Sequence, residues 1–352
     1  MATRRTGGPL RSGWTTGACA AAAAKAAFTG LTTGSFPNPV SIRLPRGEQP
    51  SFALAEAGLT DGGASAAIVK DAGDDPDVTH GALVRVTVTR LPTGSGVRFA
   101  AGPGVGTVTR PGLPVPVGEP AINPGPRQMI TAALADVASD PDLCVTVSIP
   151  DGQRLAEKTL NGRLGIVGGL SILGTTGVVV PYSCAAWVHS IHRGIDVARA
   201  SGLTHLAGAT GSTSERAVQA LYQLPDAALI DMGDLAGGLL KYLRRCPVPR
   251  LTIAGGPAKL AKLAEGRMDL HSGAGEADLD RLRLWLRAAG GDPGDANSVG
   301  QLLVAAGPLA GVLATQIAAT ARQVALAVLA GEVAVDVIVV DRSGGLIGRA
   351  GP

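Results

Sequence analysis

Alternating apolar and polar positions predict several strands and a few helices in the first 150 residues. The alanine-rich stretch 15–29 has high helix propensity, and Thr15 or Thr16 can cap its start. A second helix is expected over 126–138, after Asn123. Strands are predicted at 40–44, 66–69, 82–89, 97–100 and 143–149. We therefore assign residues 1–150 to an α+β domain.

The second half has a different pattern, in which helical segments alternate with short apolar runs. These runs are 203–207, 227–231, 251–254 and 333–340. Strands that alternate with helices form mostly parallel sheets with helices on both faces. We predict a mixed α/β protein in which the first domain is followed by a Rossmann-like α/β domain at 185–352. The glycine-rich residues 151–184 are predicted to be an interdomain segment.

Composition excludes several classes of protein. The net charge of +3 is too small for a general nucleic-acid binder. The ten aromatic residues (Phe 4, Tyr 3, Trp 3) are too few for a surface that stacks bases. No two of the four cysteines form a CxxC motif, which argues against a zinc site. So few cysteines in a chain of this length favour a reducing, cytoplasmic location over a disulfide-bonded protein. Arg4 and Arg5 precede an alanine run, but Lys25 interrupts it, so we expect no secretory leader. The apolar stretch 302–321 is predicted to be a buried core helix starting near Pro308, with no membrane partner.

Residues 70–81 form the most charged loop, with four carboxylates, a lysine and a histidine. Crowded carboxylates raise one another's pKa values, so this loop could supply a general base. Oxygen ligation of a metal and an ordinary solvated turn are the alternatives. The candidate catalytic residues are Asp71, Asp74, Asp75 and His80.

Several stretches could contact an anionic or broad apolar ligand. A Thr-Thr-Gly sequence at 15–17 offers helix N–H groups to an anion, although it is equally an ordinary cap. Glycine runs at 102–106 and 165–177 allow backbone to approach a ligand, although bends and a crossover explain them too. The candidate substrate-binding residues are Thr15, Thr16, Gly17, Lys70, Gly104, Asn123, Arg127, Thr175, Thr176 and His271.

Three consecutive strand ends in the second half carry Gly, Ser, Asp or Lys. Ligands of open α/β sheets bind at the carboxyl ends of parallel strands, which favours a cofactor cleft over three unrelated turns. The first loop is neither GxGxxG nor a Walker A motif. The candidate cofactor-binding residues are Gly208, Gly211, Thr213, Ser214, Glu215, Asp231, Gly233, Asp234, Gly255 and Lys259.

Five blocks, taken together and in order, resemble the CbiD family of cobalt-precorrin-5B C(1)-methyltransferases. They are RSGWTTGACAAAAAKAA, KDAGDDPDVTHG, GPGVGTVT, GEPAINPGPRQMI and TLNGRLGIVGGLSILGTTG. The resemblance implies methylation of ring carbon C-1 of a cobalt-bound contracted tetrapyrrole, giving cobalt-precorrin-6A in anaerobic cobalamin biosynthesis. It also implies S-adenosyl-L-methionine as the methyl donor.

With this resemblance, we assign the binding of the two reactants to different halves of the chain. We expect the first domain to bind the tetrapyrrole and the second to bind S-adenosyl-L-methionine. Cobalt would arrive inside the small-molecule substrate, so no protein-bound catalytic metal is expected. A nucleotide-dependent phosphoryl-transfer enzyme and a non-catalytic tetrapyrrole carrier are the alternatives, and the sequence leaves open whether the chain forms a homo-oligomer.

Overall fold

The protein contains two compact units, Met1–Ser183 and Cys184–Pro352. The structure, a computed structural model, describes residues 8–352, and Arg4 and Arg5 lie outside the described residues. Both units combine helices with sheets, and the sheets contain parallel as well as antiparallel pairs. The chain is therefore a mixed α/β protein, as the sequence predicts.

The N-terminal unit has three helices and thirteen strands, many of them short, within its described residues. In chain order they are β1 (Gly13–Trp14), α1 (Thr16–Thr33), β2 (Val40–Ser41), β3 (Ser51–Phe52), β4 (Glu56–Thr60), β5 (Gly63–Val69), β6 (Leu83–Arg90), β7 (Val97–Ala101), β8 (Gly104–Val105), β9 (Thr107–Val108), α2 (Pro124–Ala135), β10 (Leu143–Ser148), α3 (Gly152–Ala156), β11 (Ile166–Val167), β12 (Gly169–Leu170) and β13 (Val178–Val179). The main sheet has the strand order β4-β5-β6-β10-β7, and only the β10–β7 pair is parallel.

Helix α1 is the centre of this unit. Its alanines from Ala18 to Ala27 are fully buried, because methyl-sized side chains let the helix lie close to β5, β6 and α2. The helix runs to Thr33, beyond the predicted end at residue 29. Gly30 lies within the helix, and the Phe36 ring packs against it in the space that a side chain would need. The helix ends at Gly34, whose φ of +76° suits a glycine cap.

The glycine-rich stretch belongs to the N-terminal unit, which corrects the prediction of an interdomain segment at 151–184. Its short strands pair with earlier strands of the same unit: β11 with β9, β12 with β8 and β13 with β1. Glycine is required here because backbones approach closely, as where Gly169 lies against Gly104. Periodicity could not show these pairings, since each joins segments distant in sequence.

The C-terminal unit has seven helices and five strands. They are α4 (Cys184–Ala200), β14 (His205–Ala209), α5 (Ser212–Tyr222), β15 (Leu229–Asp231), α6 (Ala236–Arg245), β16 (Arg250–Gly255), α7 (Pro257–Ala264), α8 (Leu279–Ala288), α9 (Val299–Ala305), α10 (Ala310–Leu329), β17 (Ala334–Val340) and β18 (Leu346–Ala350). Their sheet has the order β15-β14-β16-β17-β18, and β18 alone is antiparallel to its neighbour. The predicted mostly parallel sheet is confirmed.

Helices cover both faces of this sheet. One face packs through a large apolar core that includes α4, α6, α7 and α10. The other face packs against α5 through a smaller cluster around Val218 and Ile338. Because β14 lies between β15 and β16, the loops that follow these three strands meet at one edge of the sheet.

Helix α10 is the core helix predicted near Pro308. A short 3-10 turn, Gly307–Leu309, precedes it. By length and composition, Gly307–Leu329 is the one helix among residues 8–352 that could cross a membrane. Leu313, Ile317 and Ala321 are buried against the sheet and neighbouring helices, which is typical of a core helix.

Candidate active site

The carboxyl edge of the parallel sheet brings together loops predicted to bind a cofactor. The Lys259 ammonium donates to the Thr210 carbonyl oxygen at 3.0 Å and pairs with the Asp234 carboxylate at 2.8 Å. Thr210 follows β14, Asp234 follows β15, and Lys259 is in the first turn of α7. One side chain thus holds all three loops in a fixed arrangement.

The start of α5 is open to a ligand. Gly211 precedes the helix without a side-chain cap, and in the described part of the chain no atom lies within 4 Å of where its Cβ would be. Ser214 donates its hydroxyl to the Gly211 carbonyl oxygen at 2.9 Å, and the Glu215 N–H bonds to the same oxygen. Thr213 lies beside them in the first turn. Helix N–H groups here match the polar part of a nucleoside or amino acid.

Two predicted cofactor glycines have packing roles instead. A Cβ on Gly208 would lie 2.3 Å from Leu239 Cδ2, and one on Gly255 would lie 2.9 Å from the Thr210 side chain. Both positions therefore need glycine so that the strand can pack against its own neighbours. Packing therefore accounts for these two glycines, and the open glycine at the start of α7 is Gly256. Gly256 precedes α7, and among residues 8–352 nothing lies within 4 Å of its Cβ position.

The loop after β15 carries a tryptophan contact that sequence reasoning missed. Trp187 Nε1 donates to the Asp231 carbonyl oxygen at 3.0 Å. Gly233 has a φ of +52°, and its Cβ position would be 3.1 Å from Trp187 Cζ2. Trp187 is 46% exposed. The available signal was the scarcity of tryptophan, with three in the chain.

A fourth strand end also reaches this edge and was likewise missed. After β17, the Asp341 carboxylate accepts hydrogen bonds from Ser343 and Gly345 at 2.7–2.8 Å. The Ser343 hydroxyl and these N–H groups lower the pKa of Asp341. The Cβ position of Gly344 is 3.5 Å from Thr213 Cγ2. The signal was an Asp-x-Ser-Gly-Gly turn after an apolar run, as at the other strand ends.

In the N-terminal unit, Lys70 is not available to a ligand, which corrects its assignment. It is 1% exposed, and its ammonium pairs with Asp77 at 2.6 Å. Burial raises the pKa of Asp77, but Lys70 and Thr79 outweigh that effect and the net shift is downward. This pair holds the base of the acidic loop.

The loop's carboxylates are also used within the chain. Arg11 binds both oxygens of Asp71, which lowers the pKa of Asp71 to about 2, with a further contribution from the Gly73 N–H. Asp74 accepts the backbone N–H of Arg11 at 2.7 Å, and Asp75 accepts that of Tyr182 at 2.9 Å. A carboxylate with a pKa of about 2 has little affinity for a proton near neutrality, and its pairing with Arg11 occupies both oxygens, which argues against a general-base role for Asp71.

His80 and Asp74 are the exposed members of the candidate catalytic set. The Nδ1 of His80 accepts the Ala72 N–H at 3.1 Å and lies 3.9 Å from Asp71. In this tautomer, inferred from the hydrogen bond, Nε2 carries the proton. His80 therefore offers a hydrogen-bond donor to a ligand, and its basic nitrogen is in use. This corrects the expectation of a histidine base.

The start of α1 binds the chain itself. Thr15 caps the helix through Ala18 N–H, and Thr16 exchanges hydrogen bonds with the backbone of Leu173. The Gly17 N–H donates to the Leu173 carbonyl oxygen at 3.0 Å. All three predicted residues are buried, so the anion site expected at 15–17 is wrong and the capping alternative holds.

Arg127 and Gly104 are also engaged in local structure. Arg127 donates to the Ile122 carbonyl oxygen at 2.8 Å and pairs with Glu119 at 3.1 Å, so its guanidinium is engaged within its own unit. Gly104, at φ +79°, closes against the carbonyl of Ile149. Asn123 precedes α2, and its side chain makes no capping bond within residues 8–352.

The remaining predicted substrate residues lie in separate units. Thr175 is exposed, whereas the Thr176 hydroxyl bonds to the backbone of Val178 in the N-terminal unit. His271 is in the C-terminal unit, where its Nδ1 accepts the Gly273 N–H at 3.0 Å. Across the described part of the chain, no group of three or more His, Cys, Asp or Glu side chains could hold a metal ion.

Two family models match the chain. One, described as CbiD, covers residues 3–181, and the other, described as CbiD, C-terminal domain, covers residues 269–351. A cobalt-precorrin-5B C(1)-methyltransferase of Bradyrhizobium sp. strain BTAi1 is 59% identical, with 97% of this chain and 94% of the relative aligned. One of the same name from Halorhodospira halophila is 56% identical, with 99% and 96% aligned.

A solved structure also aligns with the chain. It is described as a cobalamin biosynthesis protein (cbiD) from Archaeoglobus fulgidus, at 28% identity and a TM-score of 0.41. The alignment covers 70% of this chain and 77% of that chain.

Proposed function

Because the chain belongs to the CbiD family, we propose that it is a cobalt-precorrin-5B C(1)-methyltransferase of cobalamin biosynthesis. The main support is identity of 56–59% over nearly the full length of relatives with that name. We propose S-adenosyl-L-methionine as the donor and cobalt-precorrin-6A as the product. Cobalt is part of the substrate in this proposal, and the free thiols of all four cysteines fit a cytoplasmic enzyme.

The carboxyl edge of the C-terminal sheet fits such a donor. Two helix starts at Gly211 and Gly256 have room for ligand atoms, and the loop that begins at Asp231 follows the neighbouring strand β15. This combination suits the hydroxyls of a ribose and the charged ends of an amino acid. We propose that the sheet serves as a Rossmann-like cofactor domain, with these residues holding the donor: Gly211, Thr213, Ser214, Glu215, Asp231, Gly233, Asp234, Gly256 and Lys259.

The chain's own contribution to catalysis is mainly alignment. When bound, S-adenosyl-L-methionine would supply the methyl group: the acceptor carbon provides the electron pair of the new bond, and the electron pair of the broken carbon–sulfur bond stays on sulfur. Lys259 holds the loops in a fixed arrangement through Thr210 and Asp234, which limits the cost of ordering them. A site closed to water would favour the transfer further.

The N-terminal unit is proposed to bind the tetrapyrrole. The acceptor carries acetate and propionate groups, which require exposed hydrogen-bond donors. His80 offers its Nε2–H, and Arg11 and Lys158 are exposed cations on this unit. The acidic loop 70–81 acts in this proposal by holding Arg11 and His80 in place, not by removing a proton.

Calorimetry tests the donor assignment. Purified wild-type protein is titrated with S-adenosylhomocysteine, and separately with ATP. Asp231→Ala should weaken S-adenosylhomocysteine binding about 10- to 100-fold, since hydrogen bonds to a charged group contribute about 1.5–3 kcal/mol. The control is Asp280→Ala, at a side chain that is 85% exposed on α8. Equal affinity in both variants would contradict the assignment.

The acceptor is tested by mass spectrometry. Incubation with S-adenosyl-L-methionine and cobalt-precorrin-5B should yield a product heavier by one methylene unit. Binding of ATP alone would overturn the proposal in favour of a nucleotide enzyme. Binding of the acceptor with no turnover of the donor would identify a carrier.

A further inference from the structure

Trp187 covers the loop that follows β15. Its Nε1 donates to the Asp231 carbonyl oxygen at 3.0 Å. The benzenoid edge of the indole lies 3.1–3.4 Å from the Cβ position of Gly233. Any side chain at 233 would crowd the ring, so this glycine allows the indole to lie directly on the loop.

The indole is held in place by a well-packed helix. Ile191 and Ile195, on the same helix α4, are buried in the core of the C-terminal unit. Val188 packs 3.1 Å from the Cβ position of Gly238 on α6. This packing positions α4, and the hydrogen bond to Asp231 orients the indole on the loop.

The exposed surface of Trp187 is apolar carbon. The indole has one hydrogen-bond donor, and the Asp231 carbonyl already accepts it. At 46% exposure, an aromatic side chain leaves a large apolar area in water beside a polar strand end. A flat ring system with a π-face is the ligand group that this surface recognises best.

We propose that Trp187 stacks on the adenine ring of the methyl donor and so contributes to the affinity of the site for the donor. This inference rests on the proposed function, because it places the donor's ribose at Asp231. The base would then lie beyond the ribose, on the side of the loop where the indole is exposed. Stacking reads the face of the base, so Trp187 contributes affinity while hydrogen bonds elsewhere distinguish the ring edges.

The test measures binding of S-adenosylhomocysteine and of its adenine-free counterpart, S-ribosylhomocysteine, by calorimetry. Trp187→Leu keeps apolar contact with the loop but cannot stack, and we expect it to lower S-adenosylhomocysteine affinity about 5- to 150-fold. Affinity for S-ribosylhomocysteine should change less than about twofold. Trp187→Phe, which can still stack, should retain most of the affinity, and Leu284→Ala, at another exposed apolar side chain of the unit, should retain all of it.

Fluorescence gives a second readout that a purely structural role would not move. The chain has three tryptophans, so Trp187→Phe removes one emitter. S-adenosylhomocysteine should quench wild type and Trp285→Phe, and quenching should be lost in Trp187→Phe. Equal loss of both ligands in Trp187→Leu, or undiminished quenching in Trp187→Phe, would overturn the stacking role. Absence of S-adenosylhomocysteine binding to wild type would instead overturn the proposed function, and the inference with it.

Discussion

The acidic loop 70–81 and the strand-end edge of the C-terminal sheet differ in how much backbone they leave open to a ligand. In the loop, Asp71, Asp74, Asp75 and Asp77 all accept hydrogen bonds from the chain itself. At the strand-end edge, the helix starts at Gly211 and Gly256 leave room for a ligand. A concentration of charge in sequence is therefore a poor guide to a reactive site when each charge already has a structural partner.

The difference follows from what surrounds each region. The loop is fixed to the N-terminal unit, and the Asp77 carboxylate offsets the cost of burying the Lys70 ammonium. At the strand ends, the parallel sheet holds the loop positions through its own backbone hydrogen bonds, and the Asp234 and Asp341 carboxylates take partners within the loops. Gly211 and Gly256 therefore leave space for ligand atoms, while Lys259 connects the three loops through Thr210 and Asp234.

Removing Lys70 should give the largest effect on stability. Lys70→Ala leaves the Asp77 carboxylate without its cation and creates a cavity, so the free energy of unfolding should fall by about 3 kcal/mol. Urea denaturation of purified protein measures this change. If the loop were a binding site with little structural role, the loss would be below about 1 kcal/mol.

The matched control is Lys25, whose ammonium pairs with Asp136 at 2.7 Å. Asp136 is 51% exposed, and such surface pairs contribute little. Lys25→Ala should therefore lower the free energy of unfolding by less than about 1 kcal/mol. Similar losses in the two variants would remove the contrast between buried and exposed pairing.

Glycine substitutions sharpen the comparison at the strand ends. Gly208→Ala places a methyl group against Leu239 and should cost about 1–3 kcal/mol of stability, measured by thermal and urea unfolding. Gly211→Ala meets no atom of residues 8–352 within 4 Å, so stability should change by less than about 0.5 kcal/mol. Instead, it should weaken S-adenosylhomocysteine binding about tenfold. The reverse pattern would contradict the division between packing and ligand glycines.

The pH dependence of Asp71 should be the smallest effect. Since Arg11 lowers its pKa from 3.8 to about 2, the ionised carboxylate stabilises the fold above pH 4, and this contribution is lost as pH falls toward 2. Solvent screening limits it to less than about 1 kcal/mol, because the side chain is 45% exposed. The stability difference between wild type and Asp71→Asn should shrink over this range. The same comparison in an Arg11→Met background should show a smaller slope, because the Gly73 N–H still lowers the pKa of Asp71, and an unchanged slope there would exclude Arg11 as the main cause.

Patterns of apolar residues predicted most elements, but their boundaries and partners less well. The four parallel strands of the C-terminal sheet lie within about two residues of the predicted runs. Helix α1 was predicted from its alanines, yet it continues past Gly30, where the Phe36 ring packs against the helix. Local propensity determines where a helix can form, whereas distant contacts determine where it ends.

The candidate site shows the same division. That glycine, serine and aspartate follow consecutive strands can be read directly from the chain. Trp187 and the loop at Asp341 were missed, because only the folded sheet brings α4 and the end of β17 to these residues. Likewise, sequence spacing could not show that Arg127 and the residues at 15–17 already had partners in their own unit.

The sequence by itself determined the family, the mixed α/β class and the strand ends where a ligand could bind. These properties depend on residue order and on local periodicity. Only the tertiary structure decided which polar groups remain available to a ligand, because hydrogen bonds such as those of Asp71 with Arg11 and Thr16 with Leu173 join residues far apart in the chain. Burial and pairing are properties of the folded protein, and they separate the residues that hold the site from those that can face its ligands.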